Sequence, residues 1–199
     1  RLPFYFHPSS SFSMQELKDT QSEADTRNIS IDRVGVKGLR FPIQIQDKLN
    51  RIQSTVATVS LAVDLPEEFK GTHMSRFVEA LHQHGPLLDV HTALAIPREL
   101  LRRLSARRSH VEMEFPFFRS KNAPVTGIEG LMDYVVRFEM EAEANNKLAD
   151  FKLTVIVPVT TLCPCSKAMS AYGAHNQRGL VTYSVRFASR KAKDRKSVV

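Results

Sequence analysis

The residues best suited to chemistry lie in Thr161-Leu162-Cys163-Pro164-Cys165-Ser166-Lys167 and in His175-Asn176-Gln177-Arg178, with Cys163 and His175 twelve positions apart. Thiolate and imidazole are natural ligands for zinc and related divalent metals. A structural zinc site needs four ligands, and this stretch offers at most three: Cys163, Cys165 and His175. A catalytic site needs three and an open position, so part of its ligand set would come from elsewhere in the fold. A cysteine nucleophile activated by His175 is a second chemistry that these residue types allow. A purely structural role, with small buried cysteines and a loop-holding histidine, is the third. Spacing alone leaves all three open.

Two further segments carry polar groups in useful patterns. Gly71-Thr72-His73-Met74-Ser75-Arg76 opens a helical pattern. Free N–H groups at a helix start suit phosphate, and His73 and Arg76 would add donors. The plainer reading makes Thr72 an N-cap and Arg76 a solvated side chain. Phe115 to Gly127 ends an apolar strand and runs into a polar loop. There Arg119 and Lys121 either meet phosphate or simply face water. Met74, Phe77 and Phe117 read as core.

These segments need a scaffold, and hydrophobic periodicity describes it. Structure is expected to begin near Val34, after a polar, mobile arm. From Ile52 to Leu65, Thr55, Ala57, Val59, Leu61 and Val63 alternate with Ser54, Thr58 and Ser60, the pattern of a half-buried strand. Met74, Phe77, Val78 and Leu81 follow helical spacing up to Gly85-Pro86. Pro97 suits the first turn of a second helix, with Leu100, Leu101 and Leu104 inward. Alternation returns at Val111–Phe117, Tyr134–Met140, Phe151–Val157 and Val181–Phe187, with Asn145-Asn146 as a turn. Pro158 predicts a bend or a free edge from that point on. The order implies an α+β protein with an antiparallel sheet and helices on one face. The last strand is left with an open edge, which calls for oligomerisation or further sequence.

Composition narrows the function classes. The charged fraction is 25% and no apolar run approaches the length of a membrane span. The net charge of +7 suggests nucleic acid, but five basic residues (Arg190, Lys191, Lys193, Arg195 and Lys196) sit in the last ten positions against one acid, Asp194. A terminal charge run of this kind is usually solvated, so no nucleic-acid partner is expected. Cys163 and Cys165 are too close for an unstrained disulfide and have no other partner in the chain. A reducing compartment, most simply the cytoplasm, follows. Met14 reads as a natural start, with the residues before it outside the native protein.

Taken together, Gly71 to Phe77, Phe115 to Gly127, Cys163 to Arg178 and the earlier Arg33 to Pro42 resemble, in content and order, the motifs of type IB GTP cyclohydrolase I. The resemblance runs from about Asn28 to about Ser189. It implies a tunnelling fold with antiparallel sheets, helices on one face and a barrel completed by oligomerisation. A homotetramer with intersubunit active sites is expected. The catalytic domain would cover 34–189, flanked by a mobile arm at 1–33 and a basic tail at 190–199. The implied reaction converts GTP and water to 7,8-dihydroneopterin triphosphate and formate for folate biosynthesis. A metal-activated water attacks C8, a general acid protonates the imidazole nitrogen, and the opened ring is hydrolysed and reclosed. By the same resemblance, Cys163 and His175 are metal ligands for zinc, manganese or iron, with Cys165 close to the reacting centre. His73, Arg76, Arg119, Lys121 and Lys167 are then triphosphate contacts. The family continues past this point with glutamates that complete the site and a His-rich segment, to which nothing before Val199 corresponds. This implies a shortened chain that is inactive or poorly folded when expressed alone. Two other readings stand beside it: a nitrile reductase of the same fold with a cysteine nucleophile, NADPH and no metal, and a non-catalytic basic binding module.

Overall fold

The computed structural model describes residues 29–46, 51–69, 71–145, 150–171 and 175–187. The expected terminal arm up to residue 28, the basic tail, Asn146 of the expected turn, and 172–174 lie outside them.

The first two strands, β1 (Ile31–Gln46) and β2 (Ile52–Leu65), pair antiparallel along almost their whole length. β1 starts three residues before Val34, and its register slips between Ile31 and Val34 and again between Val36 and Leu39. Glycine is needed at two positions, Gly38 inside the second slip and Gly35 in the paired stretch between the slips. Gly38 sits at φ 74°, and a Cβ on Gly35 would strike the Leu61 carbonyl oxygen. On β2 the expected alternation holds: Ala57, Val59, Leu61, Val63 and Leu65 are buried.

Helix α1 (Met74–Gln83) buries Phe77, Ala80 and Leu81. Met74, expected in the core, is 43% exposed because it stands in the first turn, outside the stripe set by Phe77 and Leu81. Thr72 is not the cap. His73 holds that position without a side-chain hydrogen bond, and Thr72 is buried. After α1, the two-residue strand β3 (Leu87–Leu88) pairs parallel with β1 at Gln44 and Ile45.

Helix α2 (Val90–Leu104) starts well before Pro97. Its start is set by a reciprocal cap: the Asp89 carboxylate accepts the Thr92 N–H at 2.7 Å, and the Thr92 hydroxyl accepts the Asp89 N–H at 2.8 Å. The Thr92 N–H also holds the Asp89 carboxyl below its ordinary pKa. Pro97 therefore sits inside the helix, tolerated because Ala93, Ile96 and Leu100 around it are all buried and the Ser109 hydroxyl donates to its carbonyl at 2.7 Å. Leu101 and Leu104 pack only partly against the core.

Strands β4 (Arg108–Asn122), β5 (Glu129–Glu143), β6 (Asp150–Leu162) and β7 (Asn176–Phe187) follow as an antiparallel series. Among the described residues the seven strands form one sheet in the order β3-β1-β2-β4-β5-β6-β7. The protein is α+β, as expected. Helices α1 and α2 pack on one face, closing a core of Phe77, Leu81 and Leu100 against Leu61, Val111, Met113, Phe115 and Met140. Each large apolar side chain buried there stabilises the fold by about 1.5–3 kcal/mol. The other face of β4 to β7 is a cross-strand charge ladder. Arg137 donates to Glu114 at 2.9 Å and 2.5 Å, Lys152 meets Glu139 at 2.7 Å, and Arg186 meets Asp150 at 3.4 Å.

β6 leaves β5 after Ile156 but stays paired with β7 through Leu162. Pro158, with no N–H to donate, lies just beyond that parting, as its sequence position predicted. β7 is the free edge of the sheet among the described residues.

Candidate metal centre

The β6–β7 hairpin carries the cysteine segment at its tip. β6 ends at Leu162, paired with Asn176, and Cys163 follows as the N-cap of the short helix α3 (Pro164–Met169). Pro164 occupies the first turn, where a missing N–H costs nothing. The turn is closed by the Lys167 N–H donating to the Cys163 carbonyl at 3.1 Å and the Ser170 N–H donating to the Ser166 carbonyl at 3.0 Å. The Cys163 N–H donates to the His175 carbonyl at 3.2 Å, so the two residues stand side by side across the hairpin end. The Ser166 hydroxyl lies 2.6 Å from His175 Nδ1.

The Cys163 side chain makes no formal capping hydrogen bond. It nevertheless faces donors that favour its thiolate. The Ser166 N–H is the largest cause holding the thiol below its ordinary pKa, with the Ser166 hydroxyl next and the Cys165 N–H a smaller contribution; partial burial opposes them. Cys165 is exposed one turn position further on, and Lys167 is exposed on the same helix.

The register also places the phosphate candidates. β4 and β6 both finish at the end of the sheet where α3 sits. Arg119 pairs with Met132 and Lys121 with Gly130, one strand away from the hairpin and exposed. Where β5 and β6 part, a shallow cleft opens between Leu131, Met132 and Asp133 on one side and Pro158, Val159 and Thr160 on the other, bordered by Asn176, Gln177 and Arg178.

His73 and Arg76 stand elsewhere. α1 begins where β2 ends, and α2 ends where β4 begins, at the opposite end of the sheet from α3. Arg76 is tied there by its guanidinium donating to the Arg103 carbonyl at 3.0 Å. The chain therefore gathers Cys163, Cys165, Lys167, His175, Arg119 and Lys121 at one end of the sheet and leaves His73 and Arg76 at the other. The concavity at that far end is lined by Asp32, Arg33, Asp64, His110 and Glu141. These groups engage one another: His110 meets Glu141 at 3.1 Å, Arg33 meets Glu141 at 3.6 Å, and Asp64 accepts the Arg107 and Arg108 N–H groups.

The donor chemistry at the hairpin tip fits a divalent metal. Cys163 is biased towards thiolate, and His175 has one ring nitrogen engaged by a serine. Together they would supply two of the three protein ligands a catalytic centre requires. Among the described residues, no cluster of three or more His, Cys, Asp or Glu side chains is arranged to hold a metal ion. Ser166 is the residue that spacing did not single out. Its signal was present in Cys163-Pro164-Cys165-Ser166: a proline in the first helical turn makes Cys163 the cap and puts Ser166 at the third helical position, facing back at it.

Comparison with known proteins agrees with the order of the motifs. Residues 17–198 match the family described as type I GTP cyclohydrolase folE2. GTP cyclohydrolase FolE2 of Syntrophobacter fumaroxidans is 50% identical over 169 residues, covering 85% of this chain and 65% of that protein. The FolE2 protein of Magnetococcus marinus is 48% identical over 172 residues, covering 86% and 64%. That of Azoarcus sp. is 48% identical over 166 residues, covering 83% and 61%. The chain thus spans a little under two thirds of the length of these curated relatives.

Proposed function

Since the chain belongs to the FolE2 family of type I GTP cyclohydrolases, we propose that it acts as a type IB GTP cyclohydrolase I, hydrolysing GTP to 7,8-dihydroneopterin triphosphate and formate for folate biosynthesis in the cytoplasm. The observation that carries this reading is the pairing of Cys163 and His175 at the hairpin tip, with the Cys163 thiol pKa lowered. A divalent metal bound there, zinc, manganese or iron, supplies the Lewis acidity that makes water a nucleophile at neutral pH.

The chain's own residues would divide the remaining work. Cys163 binds through its thiolate and His175 through the ring nitrogen not engaged by Ser166. Cys165, exposed beside them, lies close to the reacting purine. Lys167, Arg119 and Lys121 supply positive charge at the same end of the sheet for the triphosphate. His73 and Arg76 belong to the triphosphate site of a neighbouring subunit, because their own α1 lies at the far end of the sheet. This division supports a homo-oligomer with shared active sites, a tetramer whose sheets close into the barrel of a tunnelling fold. The free edge of β7 supports the same reading. In this account the catalytic domain runs from the start of β1 at Ile31, three residues earlier than Val34, to about 189, with the preceding residues and 190–199 flanking it.

The test uses protein from the complete reading frame, with the 199-residue chain beside it. Both are stripped with a chelator and reloaded with zinc or manganese, and conversion of GTP is followed by the fluorescence of the oxidised neopterin product. Metal-dependent turnover that Cys163→Ala and His175→Ala each abolish is the expected result. Folded, metal-loaded protein that leaves GTP untouched would reject the proposal.

A further inference from the structure

We infer that Ser166 is a positioning residue of the metal centre: its hydroxyl holds the His175 ring with Nδ1–H directed at Ser166 and Nε2 presented to the metal. The inference rests on the reading of Cys163 and His175 as metal ligands.

Three features carry it. The first is distance: Ser166 Oγ is 2.6 Å from His175 Nδ1. The second is rigidity. Ser166 sits in a helical turn closed on both sides, by Lys167 N–H to the Cys163 carbonyl and by its own carbonyl accepting from Ser170. His175 is held in turn by the bond from the Cys163 N–H to its carbonyl. Neither partner can drift without breaking a backbone hydrogen bond. The third is the direction of the protons. A serine hydroxyl has one proton to donate and lone pairs to accept with. With Nδ1 engaged by Ser166 at 2.6 Å, the nitrogen His175 can offer a metal is Nε2, and a ligating nitrogen must carry a lone pair, so the ring proton belongs on Nδ1. The Ser166 oxygen then accepts from His175 Nδ1–H. That arrangement fixes the tautomer in which Nε2 carries a lone pair, the form that can ligate a metal. The reverse arrangement, with Ser166 donating to Nδ1, would leave Nε2 protonated and unable to bind.

The experiment compares wild type with Ser166→Ala, Ser166→Thr, Cys163→Ala and His175→Ala. Zinc affinity is measured by competition with a chromogenic chelator. The His175 tautomer in the metal-free protein is read from long-range nitrogen–proton NMR correlations. Wild type should show protonated Nδ1, and Ser166→Ala should show a mixture of tautomers. Zinc affinity should fall about 10–100-fold in Ser166→Ala, the usual effect of losing a hydrogen-bond partner behind a ligand. Ser166→Thr, which keeps the hydroxyl, should restore both. A wild-type His175 protonated at Nε2 overturns the inference. So does wild-type zinc affinity in Ser166→Ala when Cys163→Ala and His175→Ala have lost it, a result that leaves the metal reading intact. Unchanged zinc binding in all three alanine variants instead rejects the metal centre itself, and the role of Ser166 with it.

Discussion

Glu99 should make the stability of this protein depend on acid in a specific window. Its carboxylate, only 11% exposed, accepts from Arg102 at 2.9 Å and 2.6 Å and from Arg103 at 2.6 Å. Arg103 in turn reaches across to α1, donating to Glu79 at 2.8 Å and to Gln83 at 2.5 Å. Glu99 thus anchors the clamp between α1 and α2 and, through Arg103, the carbonyl that holds Arg76. The hydrogen bonds from Arg102, and then those from Arg103, hold its pKa at about 2, against 4.5 for an ordinary glutamate, with burial opposing. A depressed carboxyl pKa adds stability that is fully present above the unfolded value of 4.5 and is lost as pH falls towards 2. At about 1.4 kcal/mol per pKa unit the ceiling is about 3.4 kcal/mol. Arg102 is largely exposed, so solvent screening should reduce this to about 1–2 kcal/mol. The assay is urea unfolding of wild type and Glu99→Gln, a change that keeps the shape and removes the charge. At pH 7 the variant should be less stable by about 1–2 kcal/mol. The gap should shrink as the pH is lowered from 4.5 towards 2. A gap of equal size at pH 3 and pH 7, or no gap at pH 7, would refute the reasoning.

Two other outcomes are expected. Iodoacetamide should modify Cys163 at lower pH than it modifies a cysteine in a short unstructured peptide, because Ser166 stabilises the thiolate; mass spectrometry of the Cys163 peptide across pH 6 to 9 reads this directly, and matching profiles would contradict it. Gly35→Val should destabilise the β1–β2 pair by more than about 2 kcal/mol in the same urea assay, because the new side chain would collide with the Leu61 carbonyl and backbone cannot move aside cheaply; near-wild-type stability would show that β1 can shift its register there.

Much of the scaffold was legible in the chain. Alternation marked the buried faces of β2, β4 and β5 and of the start of β6 at Phe151, because a strand with one face on a core must repeat every two residues; in β7 it marked a strand whose Val181, Tyr183 and Phe187 are exposed. It also marked the opposite, charged face, where Glu112, Glu114, Arg137, Glu139 and Lys152 pair across strands. Pro158 foretold the parting of β5 from β6, since a residue without an N–H cannot complete a ladder. The start of α2 was misplaced at Pro97 because proline in the first turn is a strong local signal. The Asp89–Thr92 cap outweighed it, together with the buried stripe of Ala93, Ile96 and Leu100. Met74 was misread for a similar reason: helical spacing marks a stripe, but which residue at its end is covered depends on what packs there.

For the site, residue types and spacing in the sequence determined that Cys163 and His175 could serve one centre, because ligand chemistry is written in side-chain identity. The same sequence listed His73 and Arg76 alongside Arg119 and Lys121 without distinguishing their locations. Only the tertiary structure decided that. Strand register set the end of the sheet each one occupies, and register is a long-range property fixed by which strands pair. The contact between Ser166 and His175 was likewise decided by folding, since a hydroxyl meets a particular ring nitrogen only when a closed turn aims it there.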